Sequence, residues 1–205
     1  RLLLSLAVEI PEDLLELVLG EFILSKKTLQ WSEASRSVEV LQRTTLNDLV
    51  LKEKVLLEKP DEEAAAEILA VKILAGELKL NKWNADVDAW INRVRWVAEI
   101  FPEKGFITYD DDDMKLMLME MCSGYRSYKG VKNLAVLDYI MNALSWNEQQ
   151  FVKEMAPERL QLPSGRRMRI TYTLGQPPKG SGFVQDFYDL HETPKVAGGR
   201  VPLLI

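Results

Sequence analysis

Apolar and polar positions change rhythm three times along the chain. After Pro11, the acids Glu12 and Asp13 precede Leu14, Leu15, Val18 and Leu19. Acids in a first turn and apolar residues at i, i+4 and i+5 predict a helix. From Glu21 to Glu58 the texture differs. The stretches EFILSKKTLQW, SRSVEVLQRTTL and DLVLKEKVLLEK alternate imperfectly between polar breaks, which predicts an antiparallel β meander. In the second of them Val38, Val40 and Leu41 compete for one face, so its register is open.

Helical periodicity follows. Pro60-Asp61-Glu62-Glu63-Ala64 is a helix start, with proline and acids suited to the first turn, and the helix should reach about Gly76. A second helix from near Asp86 puts Trp90, Val94, Val97, Ala98 and Phe101 on one stripe and is closed by Pro102 and Gly105. The Asp110–Asp113 run opens a third, carrying Met114, Met117, Leu118 and Met121. A fourth is expected over about residues 131–144, and a fifth from Asn147-Glu148.

Beyond Pro157 the two-residue rhythm returns. Leu162-Pro163-Ser164-Gly165 suits a type I turn, with proline second and glycine fourth. After it, Met168, Ile170, Tyr172 and Leu174 share one strand face, and Arg167, Arg169, Thr171 and Thr173 share the other. Gly198-Gly199 between PKVA and RVPLL predicts a second hairpin. The expected fold class is α+β. It comprises an N-terminal antiparallel β meander with a leading helix (residues 1–59), a central helical bundle (60–156) and C-terminal β hairpins (157–205).

Composition adds limits. With 205 residues and 47% apolar content the chain can bury a real core. Its one cysteine, Cys122, excludes an internal disulfide and a multi-cysteine metal site, and fits a reducing, cytoplasmic setting. No apolar run reaches the roughly 20 residues that a spanning helix needs, so no membrane is expected as a partner. The opening RLLLSLAVEI mimics a signal peptide, but its apolar core is short and Glu9 interrupts it, so it reads as folded structure. The chain starts at Arg1 and ends on VPLLI, and is read as a piece of something longer. The net charge of −5 is uneven: residues 157–205 hold 7 Lys/Arg against 4 Asp/Glu. A basic end on an acidic body hints at a polyanion partner and is equally compatible with none.

Catalytic signatures are missing from the sequence. Gly124 to Gly130 has one residue too many for a phosphate loop, and Val131 stands where lysine is needed. His191 is the only histidine and has no nucleophile elbow nearby. No catalytic, cofactor-binding or metal residue is therefore assigned. Asp110–Asp113 could hold Mg²⁺ or Ca²⁺, but adjacent acids on a helix diverge, so the preferred reading is an N-cap and acidic first turn. Met114, Met117, Met119 and Met121 read as core rather than a soft binding surface, and Cys122 as an inert apolar filler. Among Trp83, Trp90 and Trp96, Trp90 lies on the apolar stripe and Trp83 is the least committed. His191 reads as a surface residue.

The candidate binding residues are basic. Arg166, Arg167 and Arg169 follow a tight turn, two of them on a hydroxyl-bearing strand face. Such a face could grip phosphates by charge and forked hydrogen bonds; it could equally be a solvated β face. Lys195 and Arg200 flank the glycine hairpin, which is either an anion nest or a simple turn.

Three stretches carry a resemblance. INRVRWVAEIFPE (91–103), ALSWNEQQFVKEMAPERLQLPSGRRMRITYTLGQPP (143–178) and ETPKVAGGRVPLLI (192–205), in this order, resemble the C-terminal region of bacterial HrpB-type ATP-dependent helicases of the DExH-box group. DLVLKEKVLLEKPDEEAAAEIL is similar to the passage joining a β segment to helices in that family, whereas KGSGFVQDFYDL (179–190) departs from its pattern at the start. The resemblance implies an accessory region beside a motor of two RecA-like lobes, which uses ATP and Mg. The motor's phosphate loop and DExH box have no counterpart here. Implied partners are RNA or single-stranded DNA and the motor lobes of the same polypeptide. The rival reading is a protein-interaction module with no nucleic-acid contact.

Overall fold

The computed structural model describes residues 10–188 and 190–205; the reading of the first nine residues as folded structure lies outside them. Helix α1 (Glu12–Leu19) leads through a 3-10 turn into β1 (Ile23–Ser32), β2 (Ser37–Leu46) and β3 (Leu49–Leu56). These form the expected antiparallel meander in the order β1-β2-β3. The competition in the second strand resolves by cross-strand pairing. Val38 stands opposite Trp31, and Val40 lies between Leu29 and Leu56, on one face. Leu41, between Thr28 and Val55, takes the other face. A register shift follows between Thr44 and Thr45.

Six helices make the middle of the chain. Asp61 caps α2 (Glu62–Leu74) by accepting from Ala64 N–H, and Asn84 caps α3 (Ala85–Ile100) by accepting from Asp86 and Val87 N–H. Asp110 caps α4 (Asp111–Cys122) through Asp112 and Asp113 N–H, so the acid run is a helix start as expected. The fourth expected helix is corrected. It is shortened to α6 (Val136–Asn142), and a separate single turn, α5 (Tyr128–Val131), precedes it. Between them the Lys132 carbonyl accepts from Asn81 N–H at 2.7 Å, and the side chains of Asn133 and Asn81 bond at 2.7 Å. Those bonds pull the backbone away from helical register. The last helix, α7 (Trp146–Met155), starts just before the expected point because Ser145 and Glu148 form a reciprocal capping box.

The chain then forms β4 (Arg159–Gln161), β5 (Arg167–Thr171) and β6 (Lys179–Ser181), an antiparallel sheet in that order, and a small hairpin of β7 (Lys195–Val196) and β8 (Val201–Pro202). The Leu162–Gly165 turn closes through Gly165 N–H to Leu162 carbonyl at 2.9 Å, with Gly165 at φ 82°. Leu174 does not join the inner face. The strand ends at Thr171, and Leu174 sits exposed in a turn that Gln176 N–H closes onto the Thr173 carbonyl. One buried cluster runs from Val38 through the helices to Leu203 and includes Met114, Met117, Met121, Trp90 and Trp96.

Candidate nucleic-acid interface

Burial along β5 alternates strictly, with Arg167, Arg169 and Thr171 exposed and Met168 and Ile170 buried. Directly opposed residues in an antiparallel pair point to the same face. Arg169 is opposed by Arg159 on one side and Ser181 on the other, Arg167 by Gln161, and Thr171 by Lys179. The outer face therefore gathers Arg159, Arg167, Arg169 and Lys179 among Gln161, Thr171 and Ser181, all exposed. The inner face packs on α3, where the Trp96 and Tyr172 rings lie 4.9 Å apart. Gly180 opposes Ile170, and a Cβ there would run into Met168 Sδ. Its missing side chain lets Met168 fill the space under the sheet.

Among the described residues no carboxylate pairs with Arg159, Arg167 or Arg169, while Lys179 Nζ donates to Gln176 Oε1 at 3.2 Å. Arg166 is held differently. Its Nη1 lies 3.2 Å from Oδ1 of the buried Asp186, in the 3-10 turn Val184–Phe187. Lys195 is exposed in the separate β7–β8 hairpin. The Arg200 guanidinium sits over the Phe101 ring at 4.8 Å. In that hairpin Ala197, Gly199 and Arg200 N–H donate to carbonyls of Met155, Val196 and Ala197. Two of these donors close the turn and the third ties it to the end of α7.

The structure thus brings Arg167 and Arg169 together with two cations that the sequence did not single out, Arg159 and Lys179. It also adds a buried support. Arg93 on α3 is 4% exposed; its Nε donates to the Ala156 carbonyl at 2.6 Å and its Nη1 to Glu158 Oε1 at 2.7 Å. Its guanidinium lies 5.2 Å from the Trp90 ring centre. Burial lowers the pKa of Arg93, with Glu158 opposing the shift; an arginine stays protonated under such a shift. Tyr172 O–H donates to the Pro157 carbonyl at 2.8 Å, and burial raises its pKa. Arg93 and Tyr172 together fix residues 156–158 and so the placement of β4. The sequence signal for Arg93 was its place between Trp90 and Val94 on the apolar stripe.

A groove of about 930 Å³ separates the start of α3 from β5, with Asp86, Asn92, Leu137, Lys153, Arg159 and Arg169 in its walls. The other candidates fall inside or away from it. Cys122 is fully buried, and burial pushes its thiol up to about 11. Trp83 is half-buried and donates to Asp88 Oδ1 at 2.9 Å. His191 is exposed. Among the described residues no group of three or more His, Cys, Asp or Glu could hold a metal ion, and no helix is long and apolar enough to cross a membrane.

Residues 117–205, which include the sheet, the hairpin and part of the helical support, match the family described as ATP-dependent helicase C-terminal, HrpB_C. The likeness to the C-terminal region of HrpB-type helicases extends beyond that match. Over 209 residues, 100% of this chain, it is 26% identical to the ATP-dependent RNA helicase HrpB of Escherichia coli (strain K12) and covers 26% of that protein. Two solved structures share the fold. The E. coli DExH-box NTPase HrpB matches 97% of this chain and 25% of its own at 24% identity, with a TM-score of 0.65. The E. coli DEAH/RHA helicase HrpB matches 89% and 24%, also at 24% identity, with a TM-score of 0.64. The chain spans about a quarter of the length of these relatives.

Proposed function

We propose that this chain is an accessory region of an ATP-dependent helicase and that the outer face of β4–β6 holds the phosphate backbone of RNA or single-stranded DNA beside the motor. The observation that carries the reading is the register: four cations from three strands meet on one exposed face, and none of them has a carboxylate partner among the described residues. Interleaved hydroxyl and amide groups suit phosphate oxygens, which accept from neutral donors as well as from cations. Base identity matters little to such a face, so the contact is largely independent of sequence. In this reading ATP and Mg belong to the motor lobes elsewhere on the polypeptide, and the setting is cytoplasmic. The division at residues 59/60 and 156/157 serves the same scheme: the meander docks, the helices support and the final segment grips.

Docking onto the motor lobes has its own support. Leu17, Val18, Leu24, Leu49, Val55 and Leu57 are exposed large apolar residues on α1, in the meander or just after it, which supports reading this end of the chain as the docking side. The test of the grip is a fluorescence titration with labelled single-stranded RNA and DNA at two salt concentrations. Binding that is strong at low salt and lost with Arg167→Ala plus Arg169→Ala, in a folded chain, supports the proposal. Equal binding by the double variant refutes the grip, and no binding by the wild type at low salt favours a module that contacts only protein.

A further inference from the structure

A second group of cations lies outside the sheet. The segment 123–134, SGYRSYKGVKNL, carries Arg126, Lys129 and Lys132 and no acid. Folding joins it to two other segments. The tip of the β1–β2 hairpin brings Arg36: Tyr128 N–H donates to the Arg36 carbonyl at 3.0 Å, Val38 N–H donates to the Arg126 carbonyl at 2.8 Å, and the Arg36 guanidinium lies 4.0 Å from the Tyr128 ring centre. The loop before α3 brings Lys79 and Lys82. There Tyr128 O–H donates to the Lys79 carbonyl at 2.7 Å, and Asn81 is held by Lys132 and Asn133. All six cations are exposed except Lys132, which is half-buried.

None of the six has a carboxylate partner among the described residues, because the acids nearby are engaged elsewhere. Glu33 and Glu77 both turn to Lys72, and Glu39 accepts from Ser35 Oγ at 2.6 Å. An acidic chain that concentrates at one three-way junction six cations without a carboxylate partner among the described residues holds them there against their mutual repulsion. Aromatic surface is interleaved: Tyr125 is 37% exposed and its ring covers Gly130. Cations tracking a backbone, with aromatic faces between them, are what a single-stranded nucleic acid requires; an acidic protein surface has no use for the rings.

We infer that this junction is a second phosphate-backbone contact for single-stranded nucleic acid, separate from the β4–β6 face. The two are not one continuous strip. Lys82 precedes the α3 cap by two residues, and the first turns of α3 put Asp86 and Asp88 into the wall of the groove that Arg159 and Arg169 also line. A strand held at both places would pass those acids without a phosphate grip. The inference rests on the proposed role of the sheet only in the choice of ligand.

The experiment compares oligo(U) of about 8 and about 30 nucleotides, since one site of this kind covers roughly 4–16. The chain is tested as wild type, as Lys79→Glu/Lys82→Glu/Lys129→Glu, as the milder Lys79→Gln/Lys82→Gln/Lys129→Gln, and as Arg167→Ala/Arg169→Ala. The expected result is that both junction variants bind the long oligonucleotide at least about tenfold more weakly at low salt, with the short one unchanged. If the junction variants bind both lengths like wild type while the sheet variant loses them, the inference is overturned and the sheet proposal stands. If the junction variants lose binding and the sheet variant does not, the junction is upheld and the sheet proposal falls. Wild type that ignores oligo(U) but binds poly-glutamate overturns both in favour of an acidic protein partner.

Discussion

Arg159 and Arg169 stand directly opposite each other on β4 and β5, two exposed cations on one face with no carboxylate between them among the described residues. Like charges placed opposite each other in a sheet destabilise it, so this pairing works against folding. Removing one of them separates stability from function. Arg169→Ser should raise stability by about 0.2–1 kcal/mol, on the scale of a cross-strand pair, and should weaken nucleic-acid binding. Urea midpoints and an anisotropy titration on the same preparations read the two effects. A variant that loses both stability and binding would show that Arg169 packs rather than repels.

Arg93 predicts an asymmetry. Its Nε serves the carbonyl of Ala156, a residue with no exposed surface, whereas the side chain of Glu158 is 70% exposed. Arg93→Ala leaves a buried acceptor without a donor and removes packing beside Trp90, and should cost about 2–4 kcal/mol. Glu158→Gln keeps an acceptor at the water boundary and should cost under about 1 kcal/mol. Chemical denaturation checks both, and equal losses would contradict this division of labour.

Cys122 gives a pH-dependent readout. Burial raises its thiol to about 11 from an ordinary value of 9.0. The native state therefore disfavours the thiolate, and its advantage from this group is intact below pH 9 and lost progressively as pH rises toward 11. Alkylation by iodoacetamide near neutral pH should follow global unfolding. Rapid labelling of the folded chain would contradict the buried placement.

Arg166 should separate from its neighbours. Because it reaches Asp186 while Arg167 and Arg169 face outward, Arg166→Ala should leave oligonucleotide affinity within about twofold and cost about 0–1 kcal/mol, the usual worth of a partly exposed pair. Anisotropy and thermal melts measure the two. A loss of binding equal to that of Arg167→Ala would return Arg166 to the grip.

What the sequence revealed follows the range of the interactions involved. The outward placement of Arg167 and Arg169 was legible because a strand alternates every residue, and Met168 and Ile170 mark its inner side. Arg159 and Lys179 were not, since their membership of that face depends on pairing between separate strands. The break after Val131 was hidden for a similar reason, because Asn81, fifty residues earlier, sets it. The junction of Arg36, Lys79 and Lys129 was invisible in a region whose summed charge is acidic. Local caps did better, although Ser145 was passed over in favour of Asn147 as the start of α7.

The most direct test of the account is the salt dependence of single-strand binding. Each phosphate contact contributes about 0.7 to the slope of log K against log salt concentration. Arg167→Ala plus Arg169→Ala, folded as judged by circular dichroism, should flatten that slope by about 1.4. An unchanged slope with unchanged affinity would mean that the outer face of the sheet is only its wet side.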